Sequence, residues 1–310
     1  MLFTKLKQSV KPLYDWEQWS FHIFYFPISY AWLLYYVKSR SLWFFTASNP
    51  TLSFGGFEGT GKSEMYKHLP SKFCAKSIFI SPSCSFTEVV EKVKQEQLDF
   101  PLVVKPDIGM KGLLFRKVET VEQLKQYHHR VPAIYIIQEY VNMPLEVSVF
   151  YCRMPDDEKG EITAVIQKHL PEITGDGNST LEQLINEYSN EDWIETVKKF
   201  HENKLKHVLK KDEKFCLSHV ANLMNGAKFK NISNMINEKL VMIFDNISHK
   251  TGFYYGRYDI KCASLEDLYK ENFIILEFNG AGSVPNHIYT GGYTLLSAYR
   301  EILKHWSAMF

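Results

Sequence analysis

Apolar and polar positions change their period several times along this chain. Residues 21–37 (FHIFYFPISYAWLLYYV) are almost continuously apolar and aromatic, broken only by His22, Pro27 and Ser29. The run is slightly short for a membrane span and reads as buried structure. Its aromatic content, with Lys38 and Arg40 directly behind it, would also suit a segment lying at a membrane surface. A strand is expected at 41–46, a very short one at 52–54, and a helix at 64–69 that stops at Pro70. From residue 83 the pattern alternates between the helical period and the strand period. It predicts a helix at 86–97, a buried strand at 102–105 with a hairpin partner at 112–118, a helix at 120–128 opened by a Thr-x-x-Gln signal, and a strand at 134–139. Strands at 146–153 and 161–168 follow. A helix opens at Ser179, with Glu182 three positions on, and charged helical sequence fills 191–211. A helix at 234–248, strands at 253–262 and 273–278, and an apolar-faced helix at 293–306 complete the chain.

Glycine and proline clusters divide this pattern into residues 1–82, 83–141 and 142–310, with no internal repeat. Three lobes suit a length of 310 residues, which exceeds the usual size of one compact core. Composition adds that the chain is an ordinary globular one: 45% hydrophobic, 23% charged. Thirty-six Lys and Arg against 35 Asp and Glu leave a net charge of +1, which argues against nucleic acid as the partner. The five cysteines are scattered and form no CxxC pair, as expected of idle or buried thiols in a reducing compartment. The first twenty residues carry no uninterrupted apolar run or small-residue cleavage site, so no signal peptide is read there. The expected location is the cytoplasm, with the membrane periphery as the option left by the aromatic run. The glycosylation pattern at Asn178, Ser179 and Thr180 would be idle there.

Candidate chemistry gathers late in the chain. Asp259 ends the segment GRYD, and alternation along ILEFN points Glu277 and Asn279 to one face of the next strand. If the two strands are adjacent, three hard oxygen donors meet in one volume, as Mg²⁺ prefers. Upstream, FPLVVKP sets Lys105 at the end of an apolar strand, before a loop of 107–112 whose glycines allow backbone N–H groups to approach an anion. Glu139, Tyr140 and Val141 end a strand where two lobes join, and Glu146 starts the next strand. Such a segment can edge an adenine while a carboxylate holds ribose hydroxyls.

This ordered set resembles the ATP-grasp superfamily, in particular its D-alanine–D-alanine ligase-like and cyanophycin-synthetase-like carboxylate–amine ligases, over residues 86–287. The resemblance implies an α+β fold of ATP-grasp architecture, with two α+β lobes enclosing the nucleotide and an additional N-terminal substrate lobe. It maps Lys105 to the phosphate-binding lysine and Asp107, Gly109, Lys111 and Gly112 to the loop covering the phosphates. By the same match Glu139, Tyr140 and Val141 would border adenine, Glu146 would bind ribose, and Lys168 is a further candidate for the phosphates. Asp259, Glu277 and Asn279 would hold Mg²⁺, or Mn²⁺ in its place, and Arg257 would stabilise the acyl phosphate and the tetrahedral intermediate. Gly282 and Ser283 stand where the family's substrate loop follows the metal strand, but GAGSVP is not a close copy of it.

The implied reaction joins a small-molecule carboxylate to an amine through an acyl phosphate, using ATP. It needs no covalent enzyme nucleophile, and no Ser-His-Asp or Cys-His arrangement is seen. An ATP-grasp kinase-like phosphotransferase, or a non-catalytic nucleotide-binding or membrane-associated module, are the alternatives.

One motif competes. Residues 56–63 match the P-loop pattern GxxxxGK(S/T), but the strand before them is very short and the helix after them stops early. Lys62 and Ser63 would instead bind an anionic part of the acceptor, with an ordinary glycine turn as the plain reading. His219 and Asn222 would face the same cleft. His128 and His129 are expected to cap the helix before them.

Overall fold

The computed structural model describes residues 15–109, 114–187, 191–223 and 226–310. Among them the architecture is α+β, built on two antiparallel sheets. The smaller sheet has four strands in the order β1-β4-β2-β3: β1 is Ser77–Ile80, β2 Leu102–Pro106, β3 Arg116–Val118 and β4 Tyr135–Glu139. Its alternation splits cleanly. Leu102, Val104, Tyr135 and Ile137 face the helices Phe86–Gln95 and Val121–Arg130, where Val89, Val93 and Leu124 complete a core. Val103, Lys105 and Gln138 face the other way, towards the cleft. Both helices begin as their capping signals require: Ser85 and Glu88 form a capping box, and Thr120 accepts the backbone N–H of Gln123.

The larger sheet runs β11-β10-β5-β6-β9, with β5 at Leu145–Cys152, β6 at Glu161–His169, β9 at Lys228–Asn231, β10 at Tyr255–Cys262 and β11 at Phe273–Asn279. A two-stranded pair, β7 (Glu172–Thr174) with β8 (Lys214–Cys216), lies between β6 and β9 in sequence. On one face Val147, Val149, Tyr258 and Ile260 pack against the helix Glu238–Thr251 through Leu240, Ile243, Phe244 and Ile247. Phe244 is fully buried against Tyr258 and Phe273, and truncating such a side chain typically costs about 3–5 kcal/mol. The opposite face of this sheet is where charge is displayed.

Several expectations are corrected. Residues 41–46 and 52–54 form no strand. They hold the 3₁₀ turns Phe44–Ser48 and Ser53–Gly56, because Phe44 and Phe45 turn inward to a core with Phe150 and Tyr255, and Phe54 and Gly55 adopt positive φ. The second helix cap is Thr180 with Gln183, one residue beyond Ser179, whose hydroxyl and N–H are taken by Asp176. The charged stretch after residue 190 is helical only over Glu191–Phe200 and the turn Glu202–Lys204. His128 and His129 lie inside the helix Val121–Arg130, and His128 is buried between the Tyr135 hydroxyl and the Cys84 carbonyl. The hairpin partner of β2 starts only at Arg116; Gly112 lies outside the described residues.

The aromatic run departs most from expectation. It forms the helices Phe21–Tyr25 and Ser29–Ser39, joined by a 3₁₀ turn containing Pro27. Phe24, Ile28 and Ala31 are buried, but most of its large side chains are exposed, so only its inner face is buried structure.

Candidate active site

The register of the larger sheet lines up the charges. Asp259 on β10 lies opposite Glu277 on β11 and Ser148 on β5. Glu146 on β5 lies opposite Lys261 on β10 and Lys168 on β6, and Arg257 lies opposite Asn279. A two-residue side-chain period puts Arg257, Asp259 and Lys261 on one face, so these rows form a charged stripe across four strands. The stripe floors a cleft of about 990 Å³, whose roof carries Val103, Lys105 and Gln138 from the smaller sheet. The two sheets are tied at this point: Gln138 Nε2 donates to the Tyr66 hydroxyl at 3.0 Å, and Tyr66 donates to the Leu276 carbonyl at 2.9 Å. Lys105 Nζ donates to the same carbonyl at 3.3 Å.

Asp259 is the most enclosed carboxylate. Its Oδ1 accepts from Ser148 and from Arg257 Nε at 3.1 Å and lies 3.0 Å from Lys168 Nζ; its Oδ2 accepts from Arg257 Nη2 at 3.3 Å and Asn279 Nδ2 at 3.2 Å. Burial acts to raise its pKa, but Arg257, Lys168 and Ser148 outweigh burial and hold the carboxyl well below the usual range. Lys168 also reaches Glu146 at 3.2 Å. Burial acts to lower the Lys168 pKa, but Asp259 and Glu146 reverse the direction and raise it. Lys105 has no such close partner, and burial lowers its pKa to about 8, opposed by the more distant Glu277. Lys261, which donates to the Val141 carbonyl at 3.3 Å and sits by the Tyr140 ring, is also lowered by burial.

The glycine turn enters the same cleft by an unexpected route. Lys62 Nζ pairs with Glu277 Oε1 at 3.0 Å. Ser63 is committed elsewhere: its N–H and hydroxyl donate to the two Asp107 carboxylate oxygens at 2.7 and 2.8 Å, while Lys62 N–H donates to the Asp107 carbonyl at 3.0 Å. The turn thus grips an anion supplied by the chain itself, at the start of the helix Lys62–His68. A Cβ on Gly61 would come within 2.6 Å of Asp107 Oδ2, so the grip needs glycine there. With a 3₁₀ turn in place of a strand before it and only seven helical residues after it, the segment lacks the P-loop setting.

The remaining candidates fall as follows. Gly109, Glu139, Tyr140, Val141, Glu146, His219, Asn222, Asn279 and Gly282 line the cleft. The Glu139 carboxylate accepts the Lys76 N–H at 2.9 Å, so its side chain braces the end of β4. His219 stands 3.9 Å from the Cys216 sulfur, and burial lowers its pKa. Ser283 hydrogen-bonds back to Gly280, and its hydroxyl is buried without a partner. Lys111 and Gly112 lie outside the described residues. Lys261, Ser148 and Tyr66 were missed. For Lys261 the signal was present, since it continues the alternation of Arg257 and Asp259.

Among the described lining residues five cations (Lys62, Lys105, Lys168, Arg257 and Lys261) meet five carboxylates (Glu58, Glu139, Glu146, Asp259 and Glu277). The cleft is therefore no general anion trap. Lys62–Glu277 is the most accessible of its ion pairs, with the Glu277 side chain 37% exposed, while the hydrogen bonds of Lys105 and Lys261 among the described residues go to backbone carbonyls.

No protein-family model matches the chain, and no curated protein matches its sequence. Solved structures do. A bifunctional glutathione synthetase from Pasteurella multocida is 14% identical over 78% of this chain, with a TM-score of 0.40. VanG D-Ala:D-Ser ligase from Enterococcus faecalis is 12% identical over 79%, with a TM-score of 0.45. D-alanine–D-alanine ligase from Bacillus anthracis is 14% identical over 79%, with a TM-score of 0.40. The chain spans 36%, 61% and 66% of these three structures. They are distant likenesses, and the functional reading rests on the side chains of the cleft.

Proposed function

We propose that this chain is an ATP-dependent ligase of the ATP-grasp type, joining a small-molecule carboxylate to an amine through an acyl phosphate. The observation that carries the reading is the charged stripe of β5, β6, β10 and β11 facing Lys105 across one cleft. Asp259, Glu277 and Asn279 carry the carboxylate and carboxamide oxygens that suit Mg²⁺ or Mn²⁺; Glu277 faces the cleft, and Asp259 and Asn279 would exchange their present contacts with Arg257, Lys168 and each other to hold the ion. Bound there, the ion would offset negative charge on the transferring phosphoryl group.

The chain's own residues then divide the work. Lys105, in the roof, holds nucleotide phosphate, and Lys62 leaves Glu277 to join it when phosphate arrives. The segment of Glu139, Tyr140 and Val141 borders the adenine, with Lys261 bracing it from below. Glu146, oriented by Lys168, receives the ribose hydroxyls. A substrate carboxylate oxygen attacks the γ-phosphorus and ADP departs. The amine nitrogen then attacks the acyl carbonyl carbon, loses a proton and expels inorganic phosphate. Arg257 is held in place by its two bonds to Asp259, while its third nitrogen, Nη1, reaches the Val284 carbonyl. From there it steadies the oxyanion, a role worth about 3 kcal/mol for comparable donors.

The test is ATP turnover against pools of amino acids, small peptides and carboxylic acids with hydroxylamine present. Hydroxamate formation is expected. A stable phosphorylated product without hydroxamate would reassign the cleft to phosphotransfer, and absence of any turnover to binding alone.

A further inference from the structure

The helix Ser29–Ser39 and the turns before it are apolar on two faces. The inner face is clamped to the body: Phe24 and Ile28 pack with Ile288 and Ile302, and the Trp32 ring meets Trp306 at 5.1 Å. The outer face follows helical spacing, with Ile23, Phe26, Tyr30, Leu33, Leu34 and Val37 each more than half exposed. Phe26 reaches 79% exposure. Leu42, Trp43 and Phe54 continue the apolar surface. A groove of about 400 Å³ then runs between Trp32, Trp43, Phe45 and Phe54 to Phe57 and Glu58, which also line the cleft.

We infer that this face seats the protein on the surface of an anionic bilayer. Charge supports lipid over a protein partner. Residues 18–57 contain no Asp or Glu, while Lys38 and Arg40 are exposed at the end of the apolar stripe, where they meet acidic headgroups as the apolar side chains enter the interface. The exposed set is also rich in aromatic side chains, which favour the headgroup level. Length fixes the mode of attachment. Eleven helical residues rise about 16 Å, about half the hydrocarbon thickness of a bilayer, and no described helix is long and apolar enough to cross a membrane. The helix therefore lies in the plane of the surface. Since Phe57 and Glu58 line both groove and cleft, the seated orientation sets that side of the cleft beside the lipid.

The experiment is co-sedimentation of the full chain with vesicles of phosphatidylglycerol and phosphatidylcholine, and with phosphatidylcholine alone. Its readout is independent of turnover, so its failure and failure of the ligase reading are separable. Binding to the anionic vesicles is expected to exceed binding to the neutral ones. A combined Phe26→Ser, Leu33→Ser and Val37→Ser variant, exposed at every site, should lose about ten-fold or more of that binding with its melting temperature held. Lys38→Glu with Arg40→Glu should abolish the preference for the anionic vesicles. Absence of sedimentation, sedimentation untouched by the triple variant, or a solution dimer that the triple variant dissolves would each overturn the inference. The last outcome would assign the face to a second copy of the chain.

Discussion

Glu277 and Asp259 face each other across β10 and β11, yet their surroundings differ. Asp259 is enclosed by Arg257, Lys168, Ser148 and Asn279, whereas Glu277 meets Lys62 alone among these cations and remains open to the cleft. Glu277→Gln removes the accessible charge and leaves Lys62, its side chain 10% exposed, without its carboxylate; turnover should fall about 10²-fold or more, and melting curves must accompany the assay. Steady-state ADP release at saturating magnesium checks this, and retained activity would refute the metal site. Asp259→Ala should also abolish turnover, but it leaves Arg257 without its carboxylate and Lys168 with Glu146 alone, at a cost of about 3–5 kcal/mol, so urea unfolding must accompany the assay. Lys105 yields a pH prediction. In the proposed role its protonated form would bind phosphate, and burial lowers its pKa to about 8. Nucleotide affinity should therefore fall as pH rises through about 8, and Lys105→Arg, which keeps its charge, should flatten the fall; calorimetric titration at several pH values decides. Stability moves the opposite way: between about 8 and the ordinary lysine value of about 10.4 the unfolded chain holds the proton that the folded chain has lost, so stability gains with pH.

At the level of elements, the glycine turn and β2 are joined through Asp107, which bonds to Ser63 by both carboxylate oxygens. Asp107→Ala should destabilise the fold by about 1–3 kcal/mol, read as a lower urea midpoint with unchanged slope. Ser63→Ala, which keeps the backbone donor, should cost less. This junction also marks how far the sequence could be read. β2, β4, β5, β6, β10 and β11 were legible from short apolar or alternating runs, and alternation pointed Glu277 and Asn279 to one face; Asp259 joined them only on the condition that the two strands are neighbours, which β10 and β11 are. Pairing itself is non-local. Nothing in the period of residues 56–63 says that Lys62 will meet Glu277, or that the turn will be filled by Asp107. The aromatic stretches failed for another reason. A run apolar on all sides gives no period, so 41–46 read as a strand, and an exposed apolar face in 21–37 could not be told from a buried one.

Across the whole molecule, the loop after β11 is fastened to the C-terminal helix Leu295–Met309 by one carboxylate. Glu301 Oε1 lies 3.2 Å from His287 Nε2 and 3.3 Å from His305 Nε2, and the latter contact lies off the line of a hydrogen bond. The two histidines hold the Glu301 carboxyl below its usual range, and burial lowers His305 despite that carboxylate. Both shifts have the same sign. Each group binds fewer protons folded than unfolded, so stability is lost as pH falls below about 6.5. Melting curves from pH 7.5 to 4.5 should show the decline, and Glu301→Gln, which removes the carboxylate that opposes the lowering of His305, should make it steeper. The charged stripe has a consequence of its own, because its rows cross four strands at matched positions. A slip of β10 by one residue against β5 would turn Arg257, Asp259 and Lys261 into the apolar core and lay Tyr258 and Ile260 in the cleft. Only the native alignment lets the charges neutralise one another. The residues proposed to carry the chemistry therefore also proofread the folding of the sheet that bears them.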